Sequence, residues 1–115
     1  MTDLLRIDAL LSEEEKATRD RVAALVDEHI RPHVGQWYED AVLPESIFPV
    51  LAEAGLFGMH LEGYGCAGRS AVEYGLAMQE LEAGDSGIRT VVSVQGSLAM
   101  SAIYKHGSDC LLYTS

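Results

Sequence analysis

An all-α fold is predicted for this chain by three observations. Apolar residues recur in steps of three and four through four separate segments. Two of those segments are preceded by Ser-x-x-Glu, Ser12 with Glu15 and Ser70 with Glu73, the spacing at which the two side chains close the free N–H groups of a helix start. Proline or glycine separates each segment from the next, where a helix has to stop.

The first helix starts behind Ser12 and carries Ala17, Val22, Leu25, Val26 and Ile30 at helical spacing until Pro32 intervenes. Glu13, Glu14 and Glu15 fall in its first turn, where carboxylates favour the positive end of the helix dipole, so they read as structural. A polar and aromatic stretch, Gln36 to Asp40, carries no periodic pattern. Pro44 opens a second segment with Ile47, Phe48, Leu51 and Ala54, closed by Gly55 and Gly58, and Pro49 unsettles its first turns. Glu62 to Arg69 is a glycine-rich loop. Behind Ser70 a third helix carries Val72, Leu76, Ala77, Glu80 and Leu81 toward Gly84. A fourth starts at Asp85 or Ser86, with Ile88, Val91, Val92, Leu98, Ala99, Ala102 and Ile103 before Gly107. Thr90 to Val94 are β-branched, as in a strand, but the longer pattern favours a helix weakened near Gly96.

With 115 residues, 48% of them apolar, the chain holds one domain at most, with a single buried core. Its 18 acidic and 8 basic side chains leave a net charge of −10. That excludes nucleic acid and anionic membrane surfaces as partners, because both require clustered Lys and Arg. No apolar run is long enough to cross a bilayer, and Met1, Thr2 and Asp3 do not open a secretory signal. Cys66 and Cys110 are too few for a disulfide framework, which suits a reducing compartment. The last six residues, Cys110 to Ser115, match one translated frame of a transposon-end sequencing adaptor. The expectation is therefore a helical domain over residues 1–109 and a foreign scar over 110–115.

Among the chemistry-bearing residues, Gly63, Gly65 and Gly68 satisfy G-x-G-x-x-G. A dinucleotide site further needs a strand entering the turn, the third glycine inside the helix, and an acid ending the next strand. Here the capping spacing starts the helix at Ser70, and Gln95 follows Val94, so a tight loop between helices is the simpler reading. His29 and His33 are four apart, but Pro32 lies between them and no third ligand is near in sequence, which argues against a metal. His60 and His106 read as surface or interface side chains, and Cys66 as a packing residue. Arg89 is the most informative charge, the only cation between Ser70 and Tyr104. On a helix it shares a narrow polar stripe with Asp85, Ser93 and Gly96. It reads either as a solvated pair with Asp85, or as a guanidinium fork on a pocket wall, held by Glu82 or Asp85 with Ser93 beside it.

At this stretch the sequence resembles the N-terminal helical domain of acyl-CoA dehydrogenases, and in particular their glutaryl-CoA branch. The similarity runs from about Leu11 to Asp109. It is densest in Gly63-Tyr64-Gly65-Cys66-Ala67-Gly68, Tyr74-Gly75-Leu76, Glu80-Leu81-Glu82, Asp85-Ser86-Gly87 with Arg89, Ser93-Val94-Gln95, Ser97-Leu98, Ile103-Tyr104 and Gly107-Ser108. The resemblance implies up-and-down helices, here ending before the family's β-domain. It further implies a flavoenzyme of fatty-acid and amino-acid catabolism, usually a homotetramer, that binds FAD mainly through its other domains. A glutamate of the C-terminal domain removes the α-proton while hydride passes to the flavin, and electrons leave to electron-transfer flavoprotein. In the glutaryl branch, glutaryl-CoA also loses carbon dioxide to give crotonyl-CoA. This chain would then contain no catalytic base and no principal cofactor-binding residue.

Carried over by position, Arg89 resembles the arginine that meets the distal carboxylate of the acyl group, and Glu82 the acid that holds it. Thr90 stands where the family often has serine in substrate contact, and Ser93 matches a serine at the same end of the pocket. Other acyl-CoA specificities, an enzyme that does not decarboxylate, and an acidic helical interaction module without chemistry are the competing readings. No mitochondrial presequence is evident, so a bacterial cytoplasm is the expected setting, with the mitochondrial matrix its eukaryotic counterpart.

Overall fold

The computed structural model describes residues 3–114. Met1 and Thr2, used in the reading of the N-terminus, and Ser115, last of the adaptor-like stretch, lie outside the described residues. All regular structure among the described residues is helical, in agreement with the sequence.

A 3-10 turn, Ile7–Leu10, leads into helix α1, Glu13–His29. The Ser12–Glu15 capping box forms in both directions, at 3.1 Å from Glu15 N–H to Ser12 Oγ and 2.7 Å from Ser12 N–H to Glu15 Oε1. The buried line of α1 is Thr18, Val22 and Val26, in steps of four, continued by Ile30. Ala17, expected on that face, is exposed, because the line through Val22 and Val26 meets Thr18 instead. Helix α2, Val34–Asp40, forms in the stretch that lacked a pattern. Only Val34 and Trp37 turn inward there, and His33 stacks on Trp37 with ring centroids 5.8 Å apart. Helix α3, Ile47–Glu53, buries Ile47 and Leu51. Pro49 is its third residue, within the first turn, where the missing N–H would have had no intrahelical acceptor.

Gly55 to Arg69 contains no regular element and buries Leu56, Met59 and Leu61. Helix α4, Ala71–Gly84, is capped by Ser70, whose Oγ accepts from Glu73 N–H at 3.1 Å. The reciprocal half expected from the spacing is replaced, because Glu73 turns inward and its carboxylate lies 3.7 Å from Arg69 Nε. The buried face of α4 is therefore Glu73, Leu76, Ala77, Glu80 and Leu81, and Val72 is left outside it. α4 lies along α1, and Gly84 allows the approach: a Cβ there would come within 2.5 Å of Val26 Cγ1.

Asp85 links α4 to helix α5, Ser86–Ser93, whose N-terminus it caps by accepting Ile88 N–H at 2.9 Å. α5 runs without interruption into a π-helical stretch, Val94–Met100, and then into helix α6, Ser101–His106. The weakness expected near Gly96 is this change of helix type, and the β-branched run Thr90 to Val94 is helical. Buried positions fall at Ile88, Val92, Gly96 and Ser101, so the spacing is four, four and then five. The step of five is the π-helical turn, whose bonds run from i to i+5. It shifts the inward face beyond Gly96, leaving Leu98 69% exposed and Ala102 at the surface while Ala99 and Ile103 stay half-buried. A final helix, α7, Asp109–Thr114, includes residues 110–114 of the stretch expected to be foreign.

Two glycines of α4 make opposite predictions. Gly84→Ala should destabilise the chain, because overpacking against the stiff Val26 side chain costs roughly 1–3 kcal/mol, more than alanine gains in helix propensity. Gly75→Ala meets nothing within 4 Å and should stabilise it by about 0.5–1 kcal/mol. Urea denaturation of the two variants beside the parent chain measures both signs.

Candidate functional site

The corner between α4 and α5 brings three of the four candidate residues together. Arg89 Nε donates to Glu82 Oε2 at 2.6 Å, and Arg89 Nη1 donates to Ser93 Oγ at 3.2 Å. Of the two acids proposed to hold the arginine, Glu82 does so. Asp85 instead caps the start of α5, its Oδ2 accepting Ile88 N–H. Of the two alternatives, the Asp85–Arg89 pair is not the one that forms: the guanidinium turns to Glu82. The Arg89 side chain is 35% exposed and that of Glu82 48%. Gly96, placed on the same stripe by its spacing, instead shares the buried face of Ile88 and Val92.

Hydrogen-bond valence shows what remains free. A guanidinium carries five N–H donors, and two are used, so three remain on its Nη end. Ser93 Oγ also donates to the Thr90 carbonyl at 3.2 Å, so its proton is committed. Thr90 Oγ1 donates to the Ser86 carbonyl at 2.8 Å and so offers only lone pairs to anything beside it. An anion approaching this cluster would find its donors on Arg89.

An open cleft of about 630 Å³ is lined by Phe48, Phe57, Thr90, Val91, Val94 and Gln95; Arg89, Glu82 and Ser93 are not among its lining residues. Thr90 is the candidate that reaches this wall, and Arg89 precedes it on the same helix. Ile88 and Val92 face the core, which turns Thr90, Val91 and Val94 to the cleft. Phe48 and Val91, core positions by their helical spacing, line this cleft, as do Phe57 and Gln95. Phe57, between Gly55 and Gly58, belongs to no periodic pattern that could have marked it.

The glycine loop is not a phosphate cradle. Turns rather than a strand precede it, and it bonds to its own chain, with Cys66 N–H on Gly63 O and Gly68 N–H on Leu61 O, each at 2.9 Å. The start of the following helix is met by Ser70. The cleft lining is mostly apolar, with Thr90 and Gln95 its polar members.

His60, expected to be an isolated surface or interface side chain, is half-buried and has neighbours. Its Nε2 lies 3.0 Å from Ser101 Oγ, its ring meets Tyr74 edge-on at 4.7 Å between centroids, and its Nδ1 is buried without a hydrogen bond. Tyr74 Oη in turn lies 2.6 Å from Ser97 Oγ. Burial, with the charge of Lys105 adding to it, pushes the His60 imidazole below its ordinary pKa. His106 is exposed, and Cys66 is a free, half-buried thiol near Gly58.

Residues 12–111 match the family described as acyl-CoA dehydrogenase, N-terminal domain. This chain belongs to the acyl-CoA dehydrogenase family. It is 33% identical over 90 residues to benzylmalonyl-CoA dehydrogenase of Aromatoleum aromaticum, covering 77% of this chain and 24% of that protein. It is 31% identical over 101 residues to (2S)-methylsuccinyl-CoA dehydrogenase of Cereibacter sphaeroides, covering 86% and 18%. Among solved structures it resembles glutaryl-CoA dehydrogenase of Mycobacterium smegmatis at 58% identity and a TM-score of 0.94. A second glutaryl-CoA dehydrogenase structure from that organism, in complex with FADH2, matches at 47% identity and a TM-score of 0.95. Each of these two alignments covers 97% of this acyl-CoA dehydrogenase chain and 29% of the solved one.

The depressed His60 pKa sets a sign for stability. An unprotonated ring favours the folded state, so its contribution is complete above the ordinary imidazole value and disappears as pH falls through the lower folded-state value. His60→Gln should flatten the loss of stability on that acid limb, as read by urea denaturation over a pH series. Equal slopes in variant and parent would assign the acid limb to other groups.

Proposed function

We propose that this chain forms one wall of the acyl pocket in a flavin-dependent dehydrogenase of dicarboxylyl-CoA thioesters, with glutaryl-CoA as substrate. The carrying observation is Arg89, held by Glu82 and Ser93 with three donors unspent, one residue from the Thr90 wall of an apolar cleft. The glutaryl, benzylmalonyl and methylsuccinyl groups named in its relatives all carry a carboxylate besides the thioester.

The physical logic is differential. A carboxylate entering a dry pocket without a partner is costly, so a fixed guanidinium must meet it. Glu82 fixes the plane of Arg89 and takes Nε, which leaves the Nη end to grip the incoming carboxylate. An uncharged acyl chain would leave those donors unpaired as the cleft closes, and so would be rejected. Phe48, Phe57, Val91 and Val94 exclude water from the methylene chain, and Thr90 and Gln95 supply the polar edge of the wall. FAD, held mainly by the rest of such an enzyme, supplies hydride acceptance when bound. Oxidation followed by loss of carbon dioxide to crotonyl-CoA, electron transfer to electron-transfer flavoprotein, a homotetrameric assembly and a bacterial cytoplasmic setting complete the proposal.

In the enzyme containing this chain, Arg89→Ala should lower kcat/KM for glutaryl-CoA by roughly 30-fold to 3,000-fold, the range for removing one partner of a desolvated charge pair. Turnover of an uncharged acyl-CoA of equal length should change little. Equal losses on both substrates would remove Arg89 from the pocket. Carbon dioxide released in step with flavin reduction tests the decarboxylation.

A further inference from the structure

The walls of the acyl cleft meet at a contact that the proposed function does not use. Phe57 stands on one wall and Val94 and Gln95 on the other. The next residues in each strand of chain, Gly58 and Gly96, pack backbone to backbone: a Cβ on Gly96 would lie 3.2 Å from the Gly58 nitrogen. Immediately beyond them, His60 meets Ser101 at 3.0 Å.

The bonds of this contact close on the π-helical turn. The Gly96 carbonyl accepts the Ser101 backbone N–H, a wide bond that the N–H shares with the Leu98 carbonyl, and also the Ser101 hydroxyl at 3.0 Å. With its proton committed, Ser101 Oγ has only lone pairs left for His60, so His60 carries its proton on Nε2 and donates it. The other ring nitrogen, Nδ1, is then a lone pair, and it is buried without a hydrogen bond. A π-helical turn is poorer in energy than the α-helix it interrupts, so it persists where side chains supply extra bonds. Ser101 and His60 supply them here.

We propose that His60 and Ser101 are positioning residues that clamp the π-helical turn and thereby set the separation of Phe57 from Val94 and Gln95 across the cleft. The clamp rests on the structure alone, and its effect on acyl-chain selection rests on the function proposed above. An α-helical continuation would place residue 100 rather than Ser101 over Gly96, so it would have to abandon either the buried face of α5 or the bond to His60. The cleft thus depends on a turn that two polar side chains hold open.

The test uses Ser101→Ala, which removes the hydroxyl, and His60→Gln, which retains an N–H donor, with His60→Leu as its apolar counterpart. In the 115-residue chain, Ser101→Ala and His60→Leu should raise amide exchange at residues 99–101 at least tenfold and shift the resonances of Phe57 and Gln95. Amides of α1 should exchange as in the parent, and His60→Gln should stay near the parent throughout. Nitrogen shifts of the His60 ring should show the proton on Nε2. In the enzyme containing the chain, Ser101→Ala should shift the kcat/KM ratio of glutaryl-CoA to its one-methylene-longer homologue at least threefold toward the longer substrate. A proton on Nδ1, unchanged exchange at 99–101, or unmoved Phe57 and Gln95 signals would overturn the clamp. An enzyme in which the clamp loosens while the ratio holds would overturn its role in selection. An enzyme inactive on every acyl-CoA would instead overturn the proposed function, leaving the clamp to be judged by exchange and resonance shifts.

Discussion

The corner at Gly84 and Asp85 is the constraint on which both the fold and the candidate site depend. Gly84 must lack a side chain for α4 to seat against Val26, and Asp85, directly behind it, must restart a helix in a new direction. Because the two helices are joined through so short a link, Glu82 on the last turn of α4 and Arg89 on the first turns of α5 come face to face. The ion pair is a product of the corner rather than its cause. A surface pair of this kind contributes little to stability, whereas the packing beneath it does.

Competition for acceptors gives the site its direction. The chain offers Arg89 two neighbouring acids: Asp85 turns to the start of its own helix, and Glu82 meets the guanidinium. Two nearby hydroxyls look like ligand donors in the sequence, yet both return their protons to carbonyls of their own helix. Helical serine and threonine commonly do so, because the carbonyl one turn back is always within reach. The unspent donors of the cluster therefore lie on one side chain, Arg89.

The helical class and the first capping box were legible because they rest on local spacing, and the meeting of Glu82, Arg89 and Ser93 because it rests on two adjacent helices. Ala17 and Val72 were misplaced by one residue each, since a polar Thr18 and an acidic Glu73 took the inward positions that apolarity alone would have awarded elsewhere. Helix α2 was invisible because it presents only Val34 and Trp37 to the core. The far half of the last long helix misled more seriously: Leu98 and Ala102 fit an α-helical face that the π-helical turn displaces. The bond between His60 and Ser101, 41 residues apart, has no local signature.

That turn also alters what the count of residues means. Between Gly96 and Ser101 the chain holds four residues where an ordinary helix joining the same two inward positions would hold three. The surplus residue behaves as an insertion already absorbed into the backbone. Shortening the stretch by one would let a regular helix pass through with both ends in phase, whereas lengthening it by one would throw α6 out of register. This segment is therefore asymmetric toward indels, tolerant of loss and intolerant of gain.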